Sequence, residues 1–380
     1  MKKFYNNVIG GKQGAASFII LAVLLMIVFP TTMSIFRLNL VGKYVTYAFA
    51  AVSLVLLWGN TGVLSLGQGI FFGLGGYCMA MFLKLEASDP ITTKIQSTPG
   101  IPDFMDWNQL TKLPAFWVPF RSLPFTVIAV IAVPALVALI GGFALFKRRV
   151  GGVYFAVITQ AIALIFSLGI DGNQGYTGGR NGITDLRTMW GWDIRTDHAQ
   201  YILYFASCLF LIGCILLSNF VLSTKIGKVL LAMRDKEERV RFSGYEVASF
   251  KVFIFVLSAI ICGIGGAFFV LQVGFMSPSL IGIVPSIEMV IFCAVGGKKS
   301  LFGAVYGALL VNTAKSLFSE SFPQLWLFAM GALFIAVVVL FPDGIAGLWQ
   351  NYGKRLVAWI GKMAAARPAI AGPIGEPVEK

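Results

Sequence analysis

Charged residues are scarce in this chain. They occupy 12% of its 380 positions, whereas hydrophobic residues occupy 57%. Soluble domains are about a quarter charged, and a soluble protein of this length would need that polar surface to cover its core. A lipid bilayer removes the need, because lipid covers the apolar exterior instead. The composition therefore predicts an integral membrane protein.

Histidine and clustered metal ligands are also lacking. His198 is the single histidine, and all five cysteines fall within apolar stretches, where isolated thiols behave as small hydrophobic residues. No paired acid and base and no Cys–His pair occur at membrane depth. These gaps argue against a disulfide framework, a metal site and an intramembrane enzyme. We therefore expect neither catalytic residues nor a cofactor in this chain.

A complete phosphate-binding loop is missing as well. The run Gly296-Gly-Lys-Lys-Ser300 lacks the first glycine of the G-x4-G-K-[ST] motif. The glycine-rich run at 62–77 lacks the strand–turn–helix context and the downstream acidic residue of a dinucleotide site. The chain is therefore predicted to have no energy-converting site of its own, and 296–300 is predicted to form a tight turn.

What the sequence contains instead is about ten apolar stretches of roughly membrane-spanning length. They predict an all-α, polytopic transmembrane bundle, with one domain over 1–350 and a tail at 351–380. The first stretch follows a basic start like a signal peptide, but it lacks an A-x-A cleavage site, so we expect it to be retained. The stretches cover residues 17–36, 44–58, 62–83, 123–146, 152–170, 200–222, 250–273, 284–297, 300–318 and 324–341.

Basic residues are distributed unevenly between the two sides of these stretches. If the N-terminus lies inside, 20 of the 30 Lys and Arg residues fall in inner segments, as the positive-inside rule requires. We therefore expect both termini in the cytoplasm, loops 84–122 and 171–199 outside, and loop 223–250 inside. The net charge of +13 then reflects orientation in the bilayer and does not indicate nucleic-acid binding.

Polar residues within the apolar stretches are candidates for lining a transport pathway. An acidic residue in mid-membrane costs about 2.5–3.5 kcal/mol on lenient insertion scales. We therefore expect Glu288 to face a cavity or a partner or to be protonated, unless it lies near the outer interface. Hydrogen bonding between helices is the competing explanation for every candidate. The candidates are Gln68, Glu288 and Asn312, followed by Tyr154, Thr159 and Gln160.

Pairs of glycines four residues apart predict close helix packing. Gly69 with Gly73, and Gly303 with Gly307, have the small-xxx-small spacing that lets membrane helices approach one another. For the first pair, a broken helix that lines the pathway is the alternative.

The inner segment 225–244 has apolar residues at helical spacing and predicts a short amphipathic helix. A helix that rests on lipid is expected to stay basic, whereas residues 234–241 carry charges of both signs. Mixed charge suits a protein partner better than a lipid surface. The segment is therefore predicted to dock a cytoplasmic protein, with a lipid-surface helix as the alternative.

A series of motifs runs in order along most of the chain: Ser65-Leu-Gly-Gln-Gly69, Gly152-Val-Tyr-Phe-Ala156, Thr177-Gly-Gly-Arg-Asn-Gly182, the segment 227–244, and Phe341-Pro-Asp-Gly344. Together they resemble the branched-chain amino acid permease family of ABC importers. Ile287-Glu-Met289, Ala294-Val-Gly-Gly297, Leu310-Val-Asn312 and Phe322-Pro-Gln-Leu-Trp-Leu-Phe328 are most similar to urea-transport permeases. Lys298-Lys299 departs from the arginine-glycine expected there.

This resemblance implies a heteromeric importer in the bacterial inner membrane. Its other parts would be a second permease, two cytoplasmic ATPase subunits that bind ATP and Mg²⁺, and a periplasmic binding protein. Urea is the expected substrate; a branched-chain amino acid importer and a gradient-driven transporter or channel are the alternatives. The resemblance also makes 225–243 the coupling helix, with ATPase contacts at Gly227, Ala232, Met233, Arg234, Asp235, Glu238, Arg241 and Gly244.

Overall fold

A computed structural model describes residues 11–91, 93–94, 96–322, 325–340 and 344–347. The predicted tail at 351–380, the N-terminal lysines and most of the Phe341–Gly344 motif lie outside these ranges. All structural statements below concern the described residues.

The described part of the chain is almost wholly helical. Eleven helices form most of the fold. The loop 171–199 adds a short hairpin of two antiparallel strands, β1 (Thr188–Met189) and β2 (Trp192–Asp193). The helices are α1 (Gly11–Val23), α2 (Ile35–Leu54), α3 (Gln68–Ala87), α4 (Leu123–Lys147), α5 (Gly152–Gly172), α6 (Asp197–Ser223), α7 (Lys225–Phe242), α8 (Val247–Val273), α9 (Ile283–Gly296), α10 (Leu301–Ser321) and α11 (Trp326–Leu340).

Short helical turns occupy several connections. Two π-turns, Leu24–Val28 and Val55–Gly59, continue α1 and α2, and Phe29–Thr32 follows the first. The remaining turns are Asp103–Trp107, Val118–Arg121, Gln174–Thr177, Gly179–Asn181 and Pro278–Leu280.

The helical membrane bundle is confirmed, but the number of about ten spans is not. Seven described helices are long and apolar enough to cross a membrane, and Ala16–Thr32 and Ile283–Gly296 are shorter. At about 1.5 Å per residue, the 14 residues of α9 reach roughly 21 Å, less than a bilayer core of about 30 Å. Hydropathy also placed a span start at 62, whereas α3 begins only at Gln68, after an irregular segment.

Helix α2 lies at the centre of the bundle. Nearly every residue from Tyr44 to Leu57 is buried, and α6, α8, α9 and α10 all pack against it. In contrast, α4, α5 and α6 turn apolar side chains such as Ile128, Ile165 and Leu209 outward. Lipid is the medium in which such faces are stable.

Contacts between loops show which of them lie at the same end of the bundle. Gly59, Arg234 and Lys298 lie together at one end, which we call the inner end. Loop 84–122 meets loop 171–199 at the other, outer end, where Lys84 bonds both Asp103 and the Thr184 carbonyl. The predicted inner loop 223–250 and the predicted turn at 296–300 therefore share one end, and the predicted outer loops share the other. That the termini are cytoplasmic stays a prediction.

Glycines allow the closest helix contacts. A Cβ on Gly296 of α9 would overlap the Gly303 carbonyl of α10, and one on Gly307 would overlap the Phe292 carbonyl. At α3, a Cβ on Gly69 would lie 2.7 Å from the Ile281 carbonyl oxygen, and one on Gly73 would overlap the Ile281 side chain. All four glycines singled out for packing thus lie where a side chain has no room.

Candidate functional site

Gln68 begins α3 and is fully buried between α2 and α8. Its Nε2 donates to Ser258 Oγ at 2.8 Å, and that hydroxyl donates to the Ser53 carbonyl at 2.8 Å. Cys262 Sγ donates to the Gln68 carbonyl at 3.3 Å. The Gln68 side-chain oxygen is buried and has no described partner. Gln68 therefore joins three helices and keeps one free acceptor.

Thr159 secures the irregular segment that precedes α3. Its Oγ1 accepts a hydrogen bond from the Leu66 amide at 3.1 Å and donates to the Ala156 carbonyl at 2.9 Å. Gln160, next to it, is half-buried. Tyr154 lies one and a half turns earlier on α5, and its side chain is 78% exposed on the outside of the bundle. Of these three candidates, only Thr159 joins the buried polar groups.

Asn312 of α10 is buried, but its amide nitrogen donates to the Ala308 carbonyl of the same helix at 2.8 Å. The bond closes within one turn of α10 and joins no second helix. Asn312 therefore makes no described hydrogen bond to Gln68 or Thr159.

Glu288 of α9 is held in an ion pair that sequence reasoning missed. Lys315 Nζ of α10 donates to both carboxylate oxygens, at 2.7 and 2.8 Å. Helical side chains lean toward the N-terminus of their own helix. Because α9 and α10 run in opposite directions, Glu288 leans outward and Lys315 leans inward, and the two meet. The pair thus neutralises the charge that made Glu288 costly in a membrane.

A second lysine, Lys43 of α2, lies beside this pair. It interacts electrostatically with both Lys315 and Glu288, and it is half-buried. No hydrogen bond or ion pair joins its ammonium to any residue that the structure describes. Tyr44 and Ser316 share a hydrogen bond next to it. Two cations and one anion therefore occupy the outer part of α2, α9 and α10.

Polar side chains continue this cluster toward the outer end. Asn39, one turn before Lys43, donates to Gln200 of α6 and accepts from Gln272 Nε2 of α8 at 3.5 Å. Gly42 leaves the space that the Gln272 side chain fills. The Gln272 side-chain oxygen is buried without a described partner. We call Asn39, Lys43, Gln272, Glu288 and Lys315 the polar cluster.

Hydropathy could not identify the lysines of this cluster. Lys43 borders the apolar stretch 44–58, and Lys315 lies inside 300–318. Both belong to the ten Lys and Arg residues that fall outside the predicted inner segments. One signal in the sequence could have indicated the ion pair. Lys315 lies deep in its apolar stretch, and the preceding stretch contains an acidic residue, Glu288.

The predicted docking helix, α7, lies at the inner end. Lys236 has non-helical angles (φ −151°, ψ 81°) that kink it. Met233 is buried, and Gly227 packs so closely on the Leu222 carbonyl that a Cβ would overlap it. Arg234 donates to the Gly59 carbonyl at 3.0 Å. The other residues predicted to make contacts are exposed: Ala232, Asp235, Glu238, Arg241 and Gly244.

The docking residues therefore fall into two groups. Gly227, Met233 and Arg234 contact the bundle and anchor α7 to it; that they also contact an ATPase stays a prediction. The exposed residues, with Phe242 at 91% exposure, form the surface that remains open. A cleft of about 400 Å³ lies beside this anchor and is lined by Trp58, Gly59, Gly62, Arg234, Asp235, Lys298 and Lys299.

Metal ligands do not cluster in the part of the chain that the structure describes: no group of three or more His, Cys, Asp or Glu residues could hold an ion there.

Comparisons with known proteins identify relatives along most of the chain. Residues 36–338 match the family model described as the permease component of branched-chain amino acid transport systems. The high-affinity branched-chain amino acid transport system permease protein LivM of Escherichia coli is 23% identical over 86% of this chain and 74% of its own length. LivM of Salmonella typhimurium is 23% identical over 90% of this chain and 78% of its own length. No solved structure is a significant match.

Proposed function

Because the chain belongs to the branched-chain amino acid transport permease family, we propose that it is a membrane-spanning subunit of an ATP-driven importer of branched-chain amino acids. Urea, expected from the motifs at 287–328, has no support among the relatives, both of which are named for branched-chain amino acids. The amino acid alternative therefore replaces urea as the proposed substrate.

The single structural observation that supports this proposal is the attachment of α7. The side of α7 that faces the bundle is fixed to the end of the central helix by the bond from Arg234 to Gly59. The side that faces away from the bundle exposes charges of both signs. A surface of mixed charge fits a protein with complementary charges. In the proposal, one of the two ATPase subunits, which carry ATP and Mg²⁺, docks here.

The remaining partners follow from the same proposal. A second, homologous permease would complete the membrane part, and a periplasmic binding protein would deliver substrate to the outer loops. ATP binding would pull on α7, and the anchor would transmit this movement to α2. The bundle would then exchange an outward-open for an inward-open arrangement.

Reconstitution tests the proposal. The purified complex of both permeases, the ATPases and the binding protein is placed in proteoliposomes, and uptake of radiolabelled leucine and of urea is measured with and without ATP. We expect leucine uptake only with ATP. Gradient-driven uptake by this chain alone, without ATP, would instead support a secondary transporter or channel, and ATP-driven uptake of urea alone would restore the urea prediction.

A further inference from the structure

Two unpaired polar groups of opposite hydrogen-bonding character belong to the polar cluster. Lys43 offers a cationic donor that has no partner among the described residues, and Gln272 offers a buried acceptor oxygen without a described partner. Gln272 is only 8% exposed. A buried polar atom without a partner is destabilising, so a ligand that supplies the partner binds more favourably.

Gln272 of α8 packs against the turn of α2 that carries Lys43. The Gln272 side chain lies over Gly42, where a Cβ would be 2.6 Å from its Cδ and Nε2, and Lys43 is the next residue. A lysine on α2 leans toward the N-terminus of the helix, which is the side where Asn39 bonds Gln272. The Gln272 amide and the Lys43 side chain therefore meet the same turn of α2.

The charges in the polar cluster are unbalanced. Lys315 and Glu288 neutralise each other at 2.7 Å, and Lys43 adds a second cation to them. Lys43 lies eight residues inside α2, and Glu288 five residues inside α9, so the cluster is roughly 8–12 Å from the outer helix ends. A charge at such a depth persists when it faces a cavity or pairs with a partner.

The cluster is also reachable. The Lys315 side chain is 35% exposed, and Lys43 is half-buried. The Lys315 ammonium is bonded to Glu288, so it does not extend toward the outer interface. Part of the cluster is therefore exposed on the surface of the chain at a depth where contact with lipid would be unfavourable.

We propose that the polar cluster binds the charged head of a zwitterionic amino acid during passage, an inference that rests on the proposed function. The α-carboxylate pairs with Lys43, and the α-ammonium donates to Gln272 Oε1 and toward Glu288. A carboxylate supplies the missing counter-charge, and an ammonium supplies the missing donor. An uncharged solute such as urea leaves the extra cation unbalanced, and a simple cation is repelled by the two lysines.

Two variants test the site without breaking an ion pair. Lys43→Gln and Gln272→Met are each made in the complete transporter, with Lys147→Gln at the exposed end of α4 as a matched control. We expect ATP-driven uptake of leucine, at a concentration below KM, to fall about tenfold or more in both variants, as loss of a charge-assisted hydrogen bond predicts. Yield of the complex and its ATP hydrolysis stay near wild type, whereas a merely structural role would lower both.

A second measurement is independent of ATP. Leucine binding to the native protein raises its thermal midpoint. We expect this shift in the purified wild-type complex of permeases and ATPases, prepared without the binding protein, and in its Lys147→Gln variant, but not in Lys43→Gln. Urea should give no shift. Absence of ATP-driven uptake in wild type alongside a leucine shift that needs Lys43 would reject the proposed function and keep the site. A wild-type shift with urea but not leucine, or unchanged leucine uptake in both variants, would overturn the site.

Discussion

Arg234 on α7 donates a hydrogen bond from Nη1 to the carbonyl oxygen of Gly59, 3.0 Å away. Gly59 ends the π-turn that continues the central helix, so one bond connects the exposed inner helix to the most buried one. The same central helix carries Lys43 near its other end. A movement of α7 can therefore be transmitted to the polar cluster through the Arg234–Gly59 hydrogen bond and the backbone of α2.

Removing this anchor should uncouple transport without dissociating the complex. In Arg234→Met, the Gly59 carbonyl loses its donor and Asp235 loses its ion pair, 3.2 Å from Arg234 Nε, while the other exposed side chains of α7 are unchanged. We expect the ATPase to co-purify and to hydrolyse ATP, but leucine uptake per ATP to fall several-fold. Uptake and hydrolysis are measured on the same proteoliposomes. Loss of the ATPase from the purified complex would show that Arg234 belongs to the docking surface after all.

Changing the exposed face should have the opposite effect. Ala232→Arg and Glu238→Lys place bulk and reversed charge on the open side of α7, and we expect each to lower ATPase co-purification strongly while the permease remains inserted and folded. Like charges across an interface oppose association. Lys94→Gln, in the outer loop, is the control. Normal co-purification of both variants would place the ATPase elsewhere.

The α9–α10 contact offers a matched test of glycine packing. A Cβ in Gly296→Ala would overlap the Gly303 carbonyl, whereas Gly213 of α6 has nothing within 4 Å of the same position. Overpacking costs about 1–3 kcal/mol, so we expect a lower thermal midpoint for Gly296→Ala in detergent. Gly213→Ala should be neutral or slightly stabilising, since alanine favours helix. Equal midpoints would mean that the two helices separate without cost.

Hydropathy predicted the helices well because a bilayer imposes one simple requirement, a long apolar stretch, on each of them. It failed at 62–67, where Val63, Leu64 and Leu66 are apolar but irregular, since composition alone does not report backbone hydrogen bonding. The polar cluster was harder still. Lys315 meets Glu288 only because α9 and α10 are antiparallel. Hydropathy evaluates each apolar stretch separately, so it cannot predict a contact between side chains of two helices.

Lys84 should hold the outer loops together. Its buried ammonium bonds Asp103 Oδ2 at 2.9 Å and the Thr184 carbonyl at 3.0 Å, so it joins the two long loops. In Lys84→Met, both acceptors lose their donor, and breaking one side of a buried ion pair is strongly destabilising. We expect thermolysin to cleave loops 84–122 and 171–199 several-fold faster than in wild type. The exposed Lys94→Met is the control, and unchanged cleavage in Lys84→Met would contradict this role.

Asp106 gives the outer loop a pH dependence at its acidic limit. Its carboxylate accepts hydrogen bonds from the Thr98 hydroxyl and from the amides of Thr98 and Ser97. The hydroxyl bond, followed by the amide bonds, lowers the pKa of Asp106 below its ordinary value of 3.8. A carboxylate with a lowered pKa stabilises the folded loop above that ordinary value, and the effect is lost as pH falls through the lowered pKa.

We therefore expect the Ser97 and Thr98 amides to be protected from hydrogen exchange at about pH 5. Protection, corrected for intrinsic rates, should decline progressively below about pH 4. In Asp106→Asn the side chain cannot ionise, so protection should be lower at about pH 5 and should vary little with pH over this range. Mass spectrometry of the peptide that spans 96–106 measures both proteins. An identical pH profile in the two would show that another group controls the loop.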